Sequence, residues 1–398
     1  MQPKRDRARL PRSVWMLGLV SLFMDSSSEL IHALLPLFLV SVLGVGALEL
    51  GLVEGIAEAT ASFGKLASGA LSDAFARRKP LVLLGYGLAA ATKPLFPLAD
   101  SVGTVLLARF LDRVGKGIRG APRDALIADV TPVGLRGRAF GLRQALDTVG
   151  AVAGPLAAFA LLGLFAEDIR AVLWFAVLPA VVAVAVLAFG VEERPRPRSP
   201  VGGFRLPLQR TDLARLPAAF WMVLGVGSLG TLARFGEAFL LLRLADLGLA
   251  AASVPLGLVA MNLVYTAAAF PFGILADRHD RRRLLASAFL LLVLADLLLA
   301  MAATPVAAFL GIALFGLHLA ASQGLLAAVV ADAAPEDLRG TAFGLWHLAT
   351  GVALLMASLI AGFLWDVGGA PAAFSASAVL AALASLAFPR LPIPSRLG

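Results

Sequence analysis

Long runs of apolar residues, separated by short polar and charged groups, dominate the chain. Two examples extend from Ala171 to Val191 and from Leu284 to Ala303. Each is close to the roughly 20 residues that a helix needs to cross a hydrocarbon layer of about 30 Å. Such a helix satisfies its own backbone hydrogen bonds, so it is stable in lipid. The pattern predicts an all-α membrane protein with twelve transmembrane helices, near 13–40, 48–71, 80–98, 102–127, 138–164, 170–190, 217–241, 250–275, 284–302, 305–330, 341–364 and 370–389.

Composition supports a membrane protein and excludes other classes. Of the 398 residues, 59% are hydrophobic and 15% are charged, whereas soluble domains carry about 25% charge. Cysteine is absent, which excludes disulfides and thiolate metal sites, and we expect no bound metal. The net charge of +8 does not indicate a nucleic-acid partner, because the arginines cluster at the ends of apolar segments.

The distribution of Lys and Arg predicts the orientation. Alternate loops carry basic clusters such as 77–79 and 281–283, and the loops between them are poor in positive charge. By the positive-inside rule, both termini lie in the cytoplasm of a bacterial inner membrane. The basic arm before the first apolar run resembles a signal peptide. No small-residue cleavage site is obvious, so we expect a retained first helix.

The sequence indicates that the chain consists of two related halves. Residues 192–215 are rich in Pro and Arg, which predicts a cytoplasmic linker between one six-helix bundle at 1–191 and another at 216–398. Residues 125–142 (ALIADVTPVGLRGRAFGL) and 328–345 (AVVADAAPEDLRGTAFGL) match at a spacing of 203 residues. A second match joins GALSDAFARRK, from Gly69, to GILADRHDRRR, from Gly273. Duplicated halves with a site between them are a common transporter plan.

The second repeated segment resembles the loop motif between helices two and three of the major facilitator superfamily, and its echo lies between helices eight and nine. Both copies replace the usual central glycine of the motif, with Ala76 and Asp280. The resemblance implies a twelve-helix major facilitator fold and a cytoplasmic latch that closes in the outward-open state. The implied latch residues are Gly69, Asp73, Arg77, Arg78, Asp129, Gly273, Asp277, Arg281 and Arg282.

Two further segments are similar to patterns of the family. Helix five contains Gly141, Gly150, Gly154 and Pro155, in partial agreement with a motif of proton-coupled exporters. Small residues four apart also permit ordinary tight helix packing, which is the alternative interpretation. In helix four the family often has an arginine tied to proton transfer, and either Arg109 or Arg113 matches it.

Ionisable residues are concentrated within the predicted spans of the first half. A charge in a span costs about 2.5–3.5 kcal/mol on insertion scales, so these side chains should face one another or an aqueous cavity. Competition between a proton, an arginine and a substrate for one carboxylate is a simple coupling device. The alternative is a permanent salt-bridge network. The candidates for proton coupling are Asp25, Glu29, His32, Glu58, Arg109, Arg113, Arg143 and Asp147, with Glu54 placed near the outer surface.

The second half carries fewer charges in its spans. Helices seven, eight, ten and eleven line the cavity in the family that the chain resembles, which implies substrate contacts there. The candidates are Arg234, Glu237, Asn262, Tyr265, His318, Gln323, Trp346 and His347, and Asp296 is expected to be peripheral.

Together these features predict a secondary active transporter of a small organic solute, driven by a proton gradient without a cofactor and acting as a monomer in the bilayer. We expect proton-coupled export of drug-like molecules or metabolites by alternating access. Proton-coupled uptake of a siderophore or another organic nutrient is the first alternative, and a non-transporting membrane sensor is the second. An enzyme is not expected, because the chain has no HExxH, GxSxG or nucleotide-binding loop.

Overall fold

The computed structural model describes residues 10–74, 77–193, 213–335 and 338–392, and of residues 65–74, Val133 and Asp277 it describes the backbone alone. Within this part of the chain every regular element is a helix. The helices are α1 (Arg12–Leu37, continued by a π-helical turn at Phe38–Val42), α2 (Ala47–Ala74), α3 (Lys79–Thr92), α4 (Val102–Val130), α5 (Arg136–Leu164), α6 (Ile169–Trp174), α7 (Val177–Gly190), α8 (Ala218–Ala233), α9 (Glu237–Asp246), α10 (Leu256–Arg278), α11 (Arg281–Met301), α12 (Pro305–Ala333) and α13 (Arg339–Ala387).

These helices form twelve spans. Helices α6 and α7 together make the sixth span, and α8 and α9 make the seventh. Helix α13 contains the last two, which meet at Gly369, whose φ of 68° interrupts the helix. Eight helices of the described chain are long and apolar enough to cross a membrane by length and composition alone. The others are α2 and α4, which carry several charges, and the 14-residue α3. Most of the predicted linker, 194–212, lies outside the described residues.

Because the number of spans is even, both ends of the described chain lie on one side of the bundle, which we call the termini side. The opposite face is the far side. Helix α1 starts on the termini side at Arg12, and α13 ends there at Ala387. The basic groups around Arg78 and Arg281 also lie on the termini side.

Glycine pairs allow α4 to approach both of its neighbours closely. A Cβ atom added to Gly117 would lie 2.8 Å from the Cα atom of Gly64 in α2. One added to Gly115 would lie 2.6 Å from the carbonyl oxygen of Gly85 in α3. Since no side chain fits at either crossing, α4 is held against the backbones of α2 and α3 at the middle of its length.

The two halves contain the same ion pair. Arg78 Nη1 lies 2.6 Å from Asp129 Oδ2, and Arg281 pairs in the same way with Asp332. Both pairs join residues 51 apart, and the second lies 203 residues after the first (78 to 281, 129 to 332). The ion pairs therefore follow the spacing of the longer sequence repeat. They make Arg281, and not Arg282, the counterpart of Arg78.

The halves meet on the far side, mainly where α2 contacts α13. The Asp366 carboxylate of α13 accepts hydrogen bonds from the backbone N–H groups of Ala47, at 2.8 Å, and Leu48, at 2.9 Å. It thus caps the amino terminus of a helix in the other half. Below this cap, a Cβ atom on Gly51 would lie 2.2 Å from the carbonyl oxygen of Ser358.

Replacing Gly117 with Ala tests the close crossing of α4 and α2. The added Cβ would meet the backbone of Gly64, so the helices must separate, at a cost of about 1–3 kcal/mol. Gly120→Ala is the matched control, because nothing lies within 4 Å of its added Cβ and its helix propensity rises by about 1 kcal/mol. We expect Gly117→Ala to lower the midpoint of thermal unfolding in detergent and Gly120→Ala to leave it equal or higher. Equal stability of the two variants would contradict this packing.

Candidate functional site

A cavity of about 490 Å³ lies between the two halves near the middle of the spans. Its volume is in the range of small-molecule sites. The first half contributes mainly charged groups, and the second half adds charged, polar and aromatic ones. The first-half residues in its wall are Glu29, His32, Glu54, Glu58, Ser62, Arg113 and Lys116. The second-half residues include Thr231, Arg234, Phe235, Gly236, Glu237, Phe315, Gln323, Trp346, His347, Thr350 and Ser358.

Exposure of the cavity wall rises from the far side towards the termini side. On α2 the side chain of Glu54 is 4% exposed, and that of Glu58, one turn closer to the termini side, is 40% exposed. On α4 Arg109 and Arg113 are buried, whereas Lys116 is exposed. The far side is closed by the contacts of Asp366. The cavity therefore opens towards the termini side.

A chain of polar contacts crosses from the first half to the second at the far end of the cavity. Arg109 Nη2 lies 2.7 Å from both carboxylate oxygens of Glu54 and 3.1 Å from His32 Nδ1. Because a guanidinium only donates, Nδ1 of His32 must accept, and the ring proton resides on Nε2. This Nε2 lies 3.5 Å from Glu237 Oε2 in the other half.

The other ionisable groups in the wall make longer contacts or none. Glu58 is 3.4 Å from Arg113 Nη2. By contrast, Glu29, Lys116 and Arg234 make no hydrogen bond or ion pair to the residues that the structure describes. The seventh span breaks beside this group, since Arg234 has non-helical backbone angles (φ −90°, ψ 91°) and α9 starts anew at Glu237. Discontinuous helices are typical of transporter binding sites.

Behind the cavity lies a second charged cluster that the sequence pattern did not reveal. Lys93 Nζ is 2.9 Å from Asp112 Oδ1 and 2.9 Å from Ser28 Oγ, and Lys93 is only 1% exposed. The guanidinium of Arg119 lies over the Tyr86 ring at 4.4 Å, a cation–π contact. The position of Lys93 within the apolar segment predicted at 80–98 was the available signal for a buried partner.

Comparison with known proteins decides the family. The model of the Major Facilitator Superfamily matches residues 16–260 and 238–397. The chain belongs to the major facilitator superfamily. An uncharacterized MFS-type transporter of Methanocaldococcus jannaschii is 32% identical over 371 residues, 92% of this chain and 91% of that one. The chain is therefore a multi-pass membrane transporter and not an enzyme, and the predicted fold of twelve helices in two pseudo-symmetric bundles is confirmed.

Two further likenesses are more limited: one covers about a third of the chain, and the other concerns the fold alone. The multidrug resistance protein MdtH of Yersinia pestis is 32% identical over 126 residues, 32% of this chain and 31% of that one. In fold, the chain resembles a bacterial homolog of the human lysosomal transporter Spinster in an inward-facing, unoccupied conformation. The TM-score is 0.74 at 15% identity, over 94% of this chain and 95% of that one.

In this major facilitator superfamily transporter, helix α5 packs on α1 beside the candidate proton-coupling residues. A Cβ atom on Gly150 would lie 2.7 Å from the Leu22 carbonyl oxygen and 3.0 Å from Asp25 Cβ. One on Gly154 would lie 2.8 Å from Glu29 Cβ. Gly141 has open space around it, and Pro155 is buried within α5.

The cavity wall includes some of the candidate coupling residues and excludes others. Glu29, His32, Glu58 and Arg113 lie in it, whereas Arg109 lies behind it, 2% exposed. Asp25, Arg143 and Asp147 lie outside the wall. Arg143 Nη1 is 2.9 Å from Asp147 Oδ2 and 3.7 Å from Asp124 Oδ1. Glu54, expected near the outer surface, is buried against Arg109, so that prediction was wrong.

Among the predicted substrate contacts, Arg234, Glu237, Gln323, Trp346 and His347 line the cavity. Three others do not, which corrects the prediction for this conformation. His318 is fully buried, packs against the Phe289 and Phe315 rings and has its Nδ1 2.7 Å from the Ala288 carbonyl oxygen. Asn262 donates to the Ala151 carbonyl oxygen of the first half, and Tyr265 donates to Gln323 Oε1 at 3.4 Å.

The structure also corrects the prediction that Asp296 is peripheral. It is 2% exposed, and Ser377 Oγ lies 2.6 Å from its Oδ2 atom. The same hydroxyl donates to the carbonyl oxygen of Ala233, the last residue of α8. Asp296 is therefore linked through Ser377 to the break in the seventh span.

The predicted latch residues lie on the termini side where they are described. Of Gly69, Asp73 and Asp277 the structure describes the backbone alone. Arg77 is exposed, and Gly273 has no neighbour within 4 Å of an added Cβ. Arg78 and Arg281 form the repeated ion pairs with Asp129 and Asp332 described above. Arg282 hydrogen-bonds to Asp280, which lowers the pKa of that carboxyl.

Glu54→Gln should destabilise the protein strongly, because it leaves the buried Arg109 guanidinium without its carboxylate. Breaking one partner of a buried pair costs about 3–5 kcal/mol. The control is Asp100→Asn, which removes an exposed partner of Arg170 (side chain 91% exposed) and should cost about 0–1 kcal/mol. Unfolding midpoints in detergent measure both. The double variant Glu54→Gln/Arg109→Met should recover part of the loss. A Glu54→Gln protein as stable as Asp100→Asn would contradict the pairing.

Proposed function

We propose that this transporter exports a small organic solute across a bacterial inner membrane in exchange for protons, by alternating access. The single observation that carries the proposal is the cavity between the halves, whose wall holds the unpaired carboxylate Glu29 next to the contact between His32 and Glu237. Unpaired ionisable groups within a membrane span are typical of proton and substrate pathways.

Glu29 is the proposed proton carrier. Its carboxylate makes no hydrogen bond or ion pair to the described residues. It lies on the same helical face as His32 and in the same cavity wall as Glu237 of the other half. A proton on Glu29 or Glu237 removes a negative charge from the junction between the halves. Such a change alters the attraction across the junction, and therefore the balance between two arrangements of the halves.

Alternating access requires a far side that can open. Asp366 contributes two charge-assisted hydrogen bonds across the closed far side, and its loss should favour the open state. Assigning the basic termini side to the cytoplasm, by the positive-inside rule, makes the described conformation inward-facing. The predicted cytoplasmic termini belong to the same proposal.

Two observations favour opposite directions of transport. The partial likeness to MdtH, a multidrug resistance protein, supports export. The unpaired cations Lys116 and Arg234 support uptake as the second candidate function. An anionic solute would bind best when Glu29 carries a proton, so that solute and proton would move in the same direction. Flux in everted vesicles under an imposed pH gradient separates the two.

Glu29→Gln should abolish dependence on the pH gradient, because the amide cannot carry the proton. In everted vesicles that contain the wild type, a panel of organic dyes identifies a compound whose flux follows the imposed gradient. We expect the gradient-driven flux of that compound to fall at least tenfold in Glu29→Gln. Glu49→Gln is the control, since Glu49 is exposed at the start of α2 and outside the cavity wall. Wild-type coupling in a folded Glu29→Gln protein would refute the assignment.

Thiol labelling should show to which face of the membrane the cavity opens and whether Asp366 holds the far side closed. The chain has no cysteine, so Gln323→Cys introduces a single thiol in the cavity wall. An impermeant maleimide should label it in everted vesicles and poorly in intact cells. Adding Asp366→Ala removes two hydrogen bonds to a charged acceptor, each worth about 1.5–3 kcal/mol, and should raise labelling in intact cells about tenfold or more.

Asp168→Ala is the matched control for this gate. Asp168 also caps a helix on the far side, accepting from Ala171 N–H at 3.1 Å, but within one half. Its loss should leave the labelling pattern unchanged. If Asp366→Ala behaves like Asp168→Ala, Asp366 does not hold the gate.

A further inference from the structure

Several charged groups of the cavity wall have no oppositely charged group within ion-pair distance among the described residues. Glu54 is neutralised by Arg109, and Glu58 faces Arg113. The junction residues His32 and Glu237 contact each other. The neutral His32 ring does not offset the charge of Glu237. Two carboxylates, Glu29 and Glu237, and two cations, Lys116 and Arg234, therefore make no ion pair with an oppositely charged group of the described residues. The two cations can each bind a negatively charged group of a ligand.

The two cations come from opposite halves. Lys116 lies in the middle of α4, where Gly115 and Gly117 hold that helix against α3 and α2. Arg234 lies in the break of the seventh span. A group that binds both therefore bridges the two halves, which is what a transported solute must do to influence their arrangement.

The helix break adds a second source of positive potential beside Arg234. Helix α9 starts at Glu237, and in the described chain no side chain caps its amino terminus at Gly236. Gly236 itself lies in the cavity wall. Free backbone N–H groups and the positive end of the helix dipole attract anionic groups. Glu237, in the first turn of α9, offsets part of this potential, and Arg234 lies beside the same helix end in the cavity wall.

The second half also contributes aromatic side chains to the wall, beside polar residues such as Thr350 and Ser358. Trp346 packs over Gly227, where an added Cβ would lie 2.4 Å from the ring, so the indole is held in place. Phe235 and Phe315 also face the cavity. A purely inorganic anion would leave this surface uncovered.

We propose that the solute of this site is a small amphipathic organic anion, whose carboxylate, sulfonate or phosphate group lies between Lys116 and Arg234 and whose apolar body lies against Trp346 and Phe315. This inference rests on the proposed transport function. It concerns the chemical class of the solute, and with Glu29 as the proton carrier it favours the second candidate function, uptake together with protons.

Thermal unfolding of the purified full-length protein with matched compounds tests the proposal. The pairs are indole-3-acetate with indole-3-acetamide, 4-phenylbutyrate with 4-phenylbutyramide, and phenyl phosphate with phenol; sodium sulfate tests the charged group alone. We expect at least one organic anion to raise the unfolding midpoint at concentrations at least tenfold below its neutral partner. Sulfate should act only at higher concentration. No preference for the anion in any pair would overturn the proposal.

Substitutions of Lys116 and Arg234 test whether the anion binds at these two residues. Lys116→Gln and Arg234→Gln should each weaken binding of the preferred anion about tenfold or more, since each removes a hydrogen bond to a charged group. Lys116→Arg and Arg234→Lys keep the charge and should retain most of the affinity, so they decide the question if a glutamine variant does not fold. Arg170→Gln is the control, because Arg170 binds Pro97 and Asp100 away from the cavity. Wild-type affinity in both glutamine variants would overturn the site.

Proteoliposomes with an imposed pH gradient separate this proposal from the transport function. Gradient-dependent flux of neutral or cationic compounds, without preference for anions, would refute the solute class and leave the function standing. Anion binding that depends on Lys116 and Arg234, without any flux, would support the site and refute transport.

Discussion

A charged side chain is stable in a hydrocarbon layer only with a counter-charge, a hydrogen-bond partner or water beside it, and this constraint organises the bundle. The first half meets it by pairing: Arg109 with Glu54, and Lys93 with Asp112. Glycines at the crossings of α4 bring the backbones close enough for such pairs to form. The cavity is the region where pairing is incomplete, and it therefore must be wet or occupied.

The two halves meet this constraint differently. The second half carries few charges in its spans, and Arg243 donates to backbone carbonyl groups of Leu299 and Ala302. It brings charge to the cavity at one place, the break between α8 and α9. There Arg234 and Glu237 face the polar wall of the first half. Charged groups of the two halves thus meet at one place only within the cavity wall. A change of one charge there can alter the contact between the halves.

Much of the fold could be predicted from the sequence, because span length and apolar runs are local properties. The twelve segments agree with the helices, and the repeat spacing of 203 residues recurs in the ion pairs of Arg78 and Arg281. Pairing across helices could not be predicted. Helical periodicity places Glu29 and His32 on one face of α1, but it cannot say which helix that face meets. Glu54 and Asp296 were misplaced for this reason, and His318 was assigned to a cavity that its ring does not reach.

The cap that Asp366 provides has a consequence for how the sequence can vary. One half contributes a side chain to this contact, and the other contributes only backbone N–H groups of Ala47 and Leu48. Any residue except proline offers the same group. Evolution can therefore adjust the strength of the far-side closure by exchanging one residue of α13. The exposed side chain of Leu48 can therefore vary without loss of this contact, whereas the buried Ala47 is constrained by its packing.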